Sequence, residues 1–350
     1  MERNLRELRK MNKKVSIILP VYNCEKYVAK TLDALICQTY KNIEILCIND
    51  GSTDNSIKIL EEYKSKDNRI KIFTQGNSGP AKARNTGLDN STGEYIMFCD
   101  SDDTYEEQMC EKMVKSIEEH NVDLVMCKAN LTFDEGIYRQ ASANVMTNLM
   151  PIGFNKIENI KPKELSVLLW HKIFKKSIID KYAMRFPDGL EWDDSLFCYE
   201  YYSVINNYWG LDDKLYNYLV RNNSIMDIYL TKKNPDKNYD KLRIFTHFYN
   251  FLQKNNLEKT KKYFYHTLLT HNFILCFNLF DTQEEKAKAI EYFLKNIKTK
   301  KLVKKYKKFT VKDFENLVKT NSIEEILGKR QFLVKKIIKF VTMYLKYYKI

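Results

Sequence analysis

The amino-acid sequence predicts an α/β protein built on a Rossmann-like, mostly parallel sheet flanked by helices. Two patterns support this fold class. From Val15 to about Asn130, short β-branched apolar runs alternate with amphipathic stretches of helical period. The runs are also hydrophobic at consecutive positions, as expected for parallel strands that helices cover on both faces. Together the two patterns predict a doubly wound sheet.

The predicted elements follow one another as strand and helix in turn. The strands are VSIILPVYN, IEILCIND, IKIFTQ and EYIMFCD, and the helices are EKYVAKTLDALICQ, NSIKILEEYKSK and a segment around AKARNTGLDN. After Asn130 the alternation weakens, although LSVLLWHKIFKKSIID and EWDDSLFCYEYYSVI are typical of elements packed on the same sheet. From about Pro235 the chain is helical, Lys-rich and Tyr-rich. We therefore predict two domains, residues 1–230 and a helical, basic C-terminal region over 231–350.

Composition and charge restrict the function classes. The 350 residues are 44% hydrophobic and 29% charged, as in a folded protein. The eight cysteines form no CxxC pair and are predicted to be reduced thiols of a cytoplasmic protein. No apolar stretch reaches the roughly 18 residues that cross a bilayer, so we expect neither export nor a membrane span. The net charge of +13 requires an anionic partner: nucleic acid, a membrane surface or a phosphorylated substrate.

Three carboxylates follow the fourth predicted strand in the run FCDSDD. Asp100, Asp102 and Asp103 lie within four residues, and such carboxylates repel one another unless a cation lies between them. Hard divalent ions take oxygen ligands of this kind. The alternative is a solvated turn that caps the next helix. The position at the carboxyl end of a strand, where ligands of such sheets bind, favours a Mg²⁺ or Mn²⁺ site.

Two further segments carry polar groups at strand ends. INDGSTDNS ends a strand in Asp50, whose carboxylate can accept a hydrogen bond from a base N–H or a ribose hydroxyl. Asp54 in this segment is interpreted as a helix N-cap, with Ser52 as the alternative cap. NSGPAKARNTG brings Lys82 and Arg84 to a helix start, and helix amides with a guanidinium suit a phosphate or a base edge.

The ordered set of segments resembles the family 2 glycosyltransferases with the GT-A fold, of the type that builds bacterial surface polysaccharides or lipooligosaccharides. The resemblance rests on ILPVYN, INDGSTD, NSGPAKARNTG and FCDSDD, followed by WHKIFKKSI and EWDDSLF. It covers about Val15 to Asn130 and continues more loosely to about Val220. It implies that residues 1–230 form a nucleotide-sugar-binding catalytic domain.

The resemblance implies a base pocket at the first two strand ends. Pro20, Tyr22 and Asp50 would form it, with Tyr22 near a uracil ring and Asp50 accepting the N3–H of that ring. Arg84 would contact the base or the diphosphate. Many relatives have Asp where this chain has Asn49, so Asn49 is expected to matter less.

The same resemblance assigns nucleotide and metal to the acidic run. Asp100 would approach the ribose and the metal, and Ser101 belongs to the nucleotide-binding set. Asp102 would be the main protein ligand of Mn²⁺ or Mg²⁺, with two nucleotide phosphates completing the shell. Asp103 is a third candidate. The metal would neutralise the departing diphosphate as a Lewis acid.

The acidic pair in EWDDSLF is similar to the pair that supplies the general base in the family. A base must lie opposite the leaving group, within hydrogen-bond reach of the incoming hydroxyl. We assign Asp194 as the base and Asp193 as its neighbour. The family commonly has Glu-Asp here, so the choice within Asp-Asp stays open, and Glu191 is a further alternative. One base without an enzymic nucleophile predicts inversion at the anomeric carbon.

Three residues near these motifs have two interpretations each. His171 is assigned a structural position beside Trp170, with a diphosphate or metal contact as the alternative. Lys172 matches a lysine of the family and could touch phosphate. Trp192 is either a platform for the acceptor or part of ordinary packing.

The C-terminal tail combines lysines with an apolar face at helical spacing. KKYKKF and KRQFLVKKIIKFVTMYLKYYKI suit the surface of an anionic membrane, and the alternative is a solvated helix that docks on its own domain. Nucleic acid is not an expected partner, because the tail contains no known reader motif.

The expected function is inverting transfer of a sugar from a nucleotide diphosphate sugar to a hydroxyl of a cell-surface glycan or glycolipid. The resemblance favours a UDP-sugar as donor, and the expected location is peripheral, on the inner face of the cytoplasmic membrane. The alternatives are a sugar-nucleotide nucleotidyltransferase and a non-catalytic, membrane-associated scaffold on the same fold.

Overall fold

Nine strands form one mixed sheet in the part of the chain that the computed structural model describes, residues 12–134, 150–160, 164–221 and 235–257. The strands are β1 (Val15–Val21), β2 (Ile43–Asp50), β3 (Ile70–Gln75), β4 (Tyr95–Phe98), β5 (Thr104–Tyr105), β6 (Leu124–Phe133), β7 (Gly153–Lys156), β8 (Lys172–Lys175) and β9 (Asn207–Val220). The helices are α1 (Val28–Ile36), α2 (Ser56–Lys66), α3 (Pro80–Asn90), α4 (Met109–Glu119), α5 (Lys176–Lys181), α6 (Asp193–Val204) and α7 (Pro235–Lys254).

The sheet has a parallel half and a mixed half. Its strand order is β3-β2-β1-β4-β8-β6-β9-β5, and β7 pairs with β9. Strands β3, β2, β1 and β4 are parallel, as the sequence predicts. Strand β8 runs antiparallel to both β4 and β6, and β9 runs parallel to β6. The α/β prediction is confirmed, and the antiparallel strands lie where the sequence alternation weakens.

Hydrophobic burial explains the parallel half. Every residue of β2 is buried, as a strand covered by helices on both faces requires. Helix α1 buries Val28, Leu32 and Leu35, which lie on one face at helical spacing. These side chains join one core cluster with the apolar residues of β1 and β2.

Helix α3 lies very close to β1. A Cβ atom on Gly87 would lie only 2.4 Å from Cγ2 of Ile18, so the close approach requires glycine. Pro80 begins the helix, where its missing N–H breaks no intrahelical bond. This packing fixes the position of α3, and therefore of Arg84 on it, relative to the sheet edge.

The chain divides into two compact units, Met1–Lys233 and Asn234–Ile350. Of the second unit, the structure describes residues 235–257, which include α7. The predicted membrane-binding tail lies outside the described residues. Within those residues, no helix has the length and apolar character that crossing a bilayer requires.

Candidate active site

The predicted base pocket lies at the carboxyl ends of β1 and β2. Parallel pairing places Pro20 opposite Ile48, so the two strands end side by side. Tyr22 follows β1 and is 45% exposed, whereas Asp50, the last residue of β2, is 3% exposed. The structure therefore brings an accessible aromatic ring and a buried carboxylate to one edge of the sheet.

Hydrogen bonds between the loops after β1 and β2 hold this edge together. Asn23 N–H donates to Ser52 Oγ at 3.1 Å, and Thr53 N–H donates to Asn23 Oδ1 at 2.8 Å. Glu25 N–H donates to Asp54 Oδ2 at 3.0 Å. The N-cap of α2 is Asn55, so the prediction of Asp54 or Ser52 as the cap is wrong; Asp54 lies one residue earlier and accepts the N–H of Ser56, the first helical residue, at 3.0 Å.

Three donors hold the Asp50 carboxylate. Oδ1 accepts from Gln75 Nε2 at 2.8 Å and from Ser78 N–H at 2.9 Å, and Oδ2 accepts from Gly79 N–H at 2.8 Å. Asp50 thus ties β2 to β3 and to the loop before α3. The neighbouring Asn49 accepts a loop N–H at 3.1 Å, which gives it a local structural role.

The acidic run after β4 places its carboxylates in different environments. The side chain of Asp100 is 38% exposed and that of Asp102 is 17% exposed. Burial raises the pKa of Asp100; the charge of Arg84 opposes this rise, and repulsion by Asp102 and Asp193 adds to it. The two predicted metal ligands therefore lie together, with a surplus of negative charge around them.

Asp103 is turned towards β9 and anchors the run. It is 1% exposed and accepts from the Tyr216 hydroxyl at 2.6 Å and from Leu219 N–H at 2.7 Å. Burial, with repulsion by its acidic neighbours, raises the pKa of Asp103 well above its usual range. The Tyr216 ring stacks on Trp170 with 4.3 Å between centroids. We assign Asp103 this anchoring role in place of the third position in the metal-binding set.

Ser101 fixes the other side of the run. Its hydroxyl donates to Cys24 Sγ at 2.9 Å, and its carbonyl accepts from the Thr31 hydroxyl at 3.1 Å. The side chain is buried between the acidic run and α1. The nucleotide contact assigned to Ser101 stays a prediction.

Arg84 joins the acidic run to the acidic pair. Nη1 of Arg84 donates to Asp193 Oδ2 at 2.7 Å, and Nη2 lies 3.7 Å from Asp100 Oδ1. The guanidinium also lies 5.6 Å from the centre of the Phe186 ring. Burial opposes the charge, but Asp193, Asp100 and Asp194 more than offset it and raise the pKa of Arg84. Two acidic segments far apart in sequence thus meet at the Arg84 guanidinium.

Asp194, the predicted general base, has a strongly perturbed carboxyl group. It lies in the first turn of α6, and burial raises its pKa to about 6. Repulsion by Asp193 adds to the rise, whereas Arg84 and the N–H of Ser195, which donates to Oδ1 at 2.7 Å, oppose it. A carboxylate that titrates near neutrality is matched to proton abstraction under physiological conditions.

A strained residue precedes the acidic pair. Trp192, the N-cap of α6, has a φ of 68°, a left-handed conformation that is uncommon for a bulky side chain. Such conformations concentrate at functional sites, where surrounding packing holds them. Glu191 precedes Trp192 and so lies outside the helix that carries the pair.

His171 and Lys172 are buried in the core. His171 Nδ1 lies 2.8 Å from the Cys127 carbonyl oxygen, and Nε2 lies 2.7 Å from Ser166 Oγ and 2.8 Å from Lys172 Nζ. Burial, with the Lys172 charge, holds the pKa of His171 well below its usual range, and burial lowers the pKa of Lys172 to about 8. The structural interpretation of His171 agrees with these contacts. The alternative contact between Lys172 and a phosphate disagrees with them, because Lys172 is fully buried and its Nζ also donates to the Leu168 carbonyl.

Sequence reasoning missed Arg221. Its Nε donates to Asp102 Oδ2 at 2.5 Å, and its guanidinium lies 5.0 Å from the centre of the Tyr27 ring. Strand β9 runs in the same direction as β4, so Arg221, the residue after β9, lies at the edge that carries the acidic run. The rule that binding residues follow the carboxyl ends of strands, here called the strand-end rule, would find Arg221 if it were applied to the sequence after Asn130.

Comparisons with known proteins define the class. The family model described as glycosyl transferase family 2 matches residues 16–183. The putative glycosyltransferase EpsH of Bacillus subtilis is 31% identical over 272 residues, covering 77% of this chain and 78% of EpsH. These matches, with the acidic strand ends, define an enzyme that transfers glycosyl groups. The chain belongs to glycosyltransferase family 2.

Other relatives extend the comparison. Glycosyltransferase GlyA of Streptococcus pneumoniae is 34% identical over 226 residues, which is 63% of this chain and 32% of GlyA, so the match spans about a third of that relative. The crystal structure of S. aureus TarS 1-349 in complex with UDP-GlcNAc has a TM-score of 0.65 and 22% identity, covering 87% of this chain and 89% of the TarS chain. This likeness confirms the GT-A fold.

Proposed function

We propose that this glycosyltransferase moves a sugar from a UDP-sugar to a hydroxyl of a cell-surface glycan or glycolipid, with inversion at the anomeric carbon. One observation carries the proposal: Arg84 joins Asp100, at the end of β4, to Asp193, beside the candidate base. The proposed nucleotide-binding edge and the proposed base would therefore face one centre. The family match favours this function over a nucleotidyltransferase or a scaffold.

The base pocket supports a uridine nucleotide. The exposed Tyr22 ring offers a stacking surface, and Asp50 offers an oxygen to the N3–H of uracil. TarS, which shares the fold, has been crystallised with UDP and with UDP-GlcNAc. Pro20 and Arg84 would complete the nucleotide contacts.

The acidic run fits a divalent cation. Asp100 and Asp102 are crowded carboxylates, and their mutual repulsion is what a cation between them would relieve. Within the described residues, no group of three or more metal-binding side chains converges, so two nucleotide phosphates would supply further ligands. When bound, Mn²⁺ or Mg²⁺ would supply Lewis-acid stabilisation of the departing diphosphate.

The geometry favours Asp194 over Asp193 as the base. Asp193 is committed to its ion pair with Arg84, whereas Asp194 holds the raised pKa. Asp194 would take the proton of the acceptor hydroxyl as the new glycosidic bond forms and the bond to the diphosphate breaks. A single displacement of this kind inverts the anomeric carbon.

The proposal for the acceptor rests on the net charge of the chain. The net charge of +13 favours an anionic membrane surface, and we assign residues 231–350 to acceptor or membrane association. Co-sedimentation of the full chain with vesicles tests this assignment. Binding to phosphatidylglycerol vesicles but not to phosphatidylcholine vesicles is expected at low salt, and equal binding or none to both would refute it.

Calorimetric binding of UDP, GDP, CDP and dTDP, with Mn²⁺ and with chelator, tests the donor assignment. UDP is expected to bind selectively and only with metal, and Asp102→Ala should abolish that binding. Asp213→Ala is the matched control, because it also removes a carboxylate from an ion pair, here with Lys112 at 2.6 Å. Metal-independent binding, or no binding of any nucleotide, would refute the assignment of Asp102.

A further inference from the structure

A closed ring of hydrogen bonds includes Asp50. Strands β2 and β3 pair in register, so Asp50 lies beside Gln75. Gln75 Nε2 donates to Asp50 Oδ1 at 2.8 Å, and the Thr86 hydroxyl donates to Gln75 Oε1 at 2.6 Å. Thr86 belongs to α3, and Gly79, the N-cap of α3, donates its N–H to Asp50 Oδ2 at 2.8 Å. The ring runs from the carboxylate through Gln75 to α3 and back.

The ring fixes the orientation of the Gln75 amide. An ionised carboxylate only accepts hydrogen bonds, so the amide nitrogen must face Asp50 and the amide oxygen must face Thr86. The Thr86 hydroxyl, which can donate or accept, then acts as a donor. Without that hydroxyl the amide oxygen loses its donor, and only the hydrogen bond from Nε2 to Asp50 then holds the Gln75 side chain. Thr86 therefore controls Asp50 through Gln75.

The ring also determines what Asp50 offers to a ligand. Among the described residues, Oδ1 accepts from two donors and Oδ2 from one, and each carboxylate oxygen has about two acceptor directions. Oδ2 thus retains one direction. It can accept the N3–H of uracil, but it repels the N3 lone pair of cytosine. A fixed carboxylate discriminates between these bases more sharply than a mobile one, because it cannot rotate away from the repulsive partner.

We propose that Gln75 and Thr86 are positioning residues that set the base selectivity of the nucleotide pocket. They hold Asp50 as an acceptor for a base that carries an N–H at the matching position. The inference rests on the proposed function and deepens it, because it names the residues that decide between UDP and CDP without touching either.

A double-mutant cycle read out by calorimetry with UDP and CDP, both with Mn²⁺, tests this inference. Thr86→Val and Gln75→Met should each reduce the preference for UDP over CDP by about tenfold, the effect of one hydrogen bond. The double variant should lose no more than either single variant, because Thr86 acts through Gln75. Thr86→Ser keeps the hydroxyl and should keep the preference. Thr39→Val, which removes a hydroxyl bonded to Glu111 at 2.7 Å, is the control for stability alone.

Several outcomes would overturn the inference. Equal weakening of UDP and CDP, accompanied by a lower Tm, would reveal a purely structural ring. An unchanged UDP preference in both single variants would do the same while leaving the proposed function intact. A wild-type chain that binds UDP and CDP equally would overturn both proposals together. Thr86→Val nearly preserves the shape of the side chain, so it gives the ratio of UDP affinity to CDP affinity even if Gln75→Met fails to fold.

Discussion

Ionised Asp194 is expected to destabilise the folded protein while serving catalysis. Its pKa rises from 3.8 to about 6 on folding, and about two pKa units correspond to about 3 kcal/mol at most. Because the folded-state pKa is the higher one, the cost is absent below pH 3.8, grows between pH 3.8 and about 6, and is complete above that range. Asp194→Asn should therefore raise the free energy of unfolding by about 1–3 kcal/mol at pH 8 and abolish transfer.

Urea unfolding at pH 8 and at pH 4 measures this effect. The gain from Asp194→Asn should be present at pH 8 and nearly absent at pH 4. Asp213→Asn, a change in a half-exposed carboxylate paired with Lys112, is the control and should show no such gain. A loss of stability at pH 8, or a gain that does not depend on pH, would refute the reasoning.

The same pKa predicts the acid limb of the rate profile. Below about pH 6, kcat/KM should fall about tenfold per pH unit, because only the ionised base accepts the proton. Asp193→Asn removes a repulsive neighbour and should shift the limb to lower pH. Arg84→Met removes a stabilising cation and should shift it to higher pH. Shifts in the same direction would contradict the assignment, and carbon-13 titration of labelled aspartate gives the pKa without any acceptor.

Three further predictions concern one residue at the opposite edge of the sheet and two residues beside the site. Glu44 is 1% exposed and accepts hydrogen bonds from two lysines and two hydroxyls. Burial would raise the pKa of Glu44, but these donors hold it well below its usual range. Urea unfolding should show that Glu44→Gln costs about 3 kcal/mol of stability above pH 5 and less as the pH falls. Tyr216→Phe leaves Asp103 without one donor and should cost about 1–2 kcal/mol and weaken UDP binding, whereas unchanged binding would contradict the anchoring role. Gly51 has a φ of 70°, and an added Cβ would lie 2.7 Å from the Asn77 nitrogen, so Gly51→Ala should lower both Tm and UDP affinity.

The sequence predicts the parallel half of the fold because burial there is local and continuous. Strands β1 and β2 are buried at nearly every position and consist mainly of apolar residues, and the helices between the strands bury regular faces. Strand β8 has only four residues, two of them lysines, and β7 has the sequence GFNK. Neither strand has a periodic signal of its own. Their place in the sheet follows from long-range pairing with β4, β6 and β9, which single-sequence patterns do not reveal.

For the site, the strand-end rule predicts positions and leaves partners undetermined. It finds Asp50, Asp100 and Asp102, because Asp50 ends β2 and the other two lie within four residues after the end of β4. It does not reveal that Asp102 pairs with Arg221, because the two residues are joined only by the folded sheet. Gln75 likewise ends a predicted strand, but the sequence alone gives it no role, because its proposed positioning role depends on the hydroxyl of Thr86 in α3.

The charges of the assembled centre explain why metal and nucleotide are expected to bind together. Asp100, Asp102, Asp193 and Asp194 bring four carboxylates, and their arginine partners, Arg84 and Arg221, bring two positive charges. The excess is two negative charges when all are ionised, which repels a nucleotide diphosphate and attracts a divalent cation. A divalent cation held by Asp100 and Asp102 would cancel that excess and would itself attract the diphosphate. In this centre burial, with repulsion by Asp193 and only partial compensation by Arg84, raises the pKa of Asp194, the proposed base.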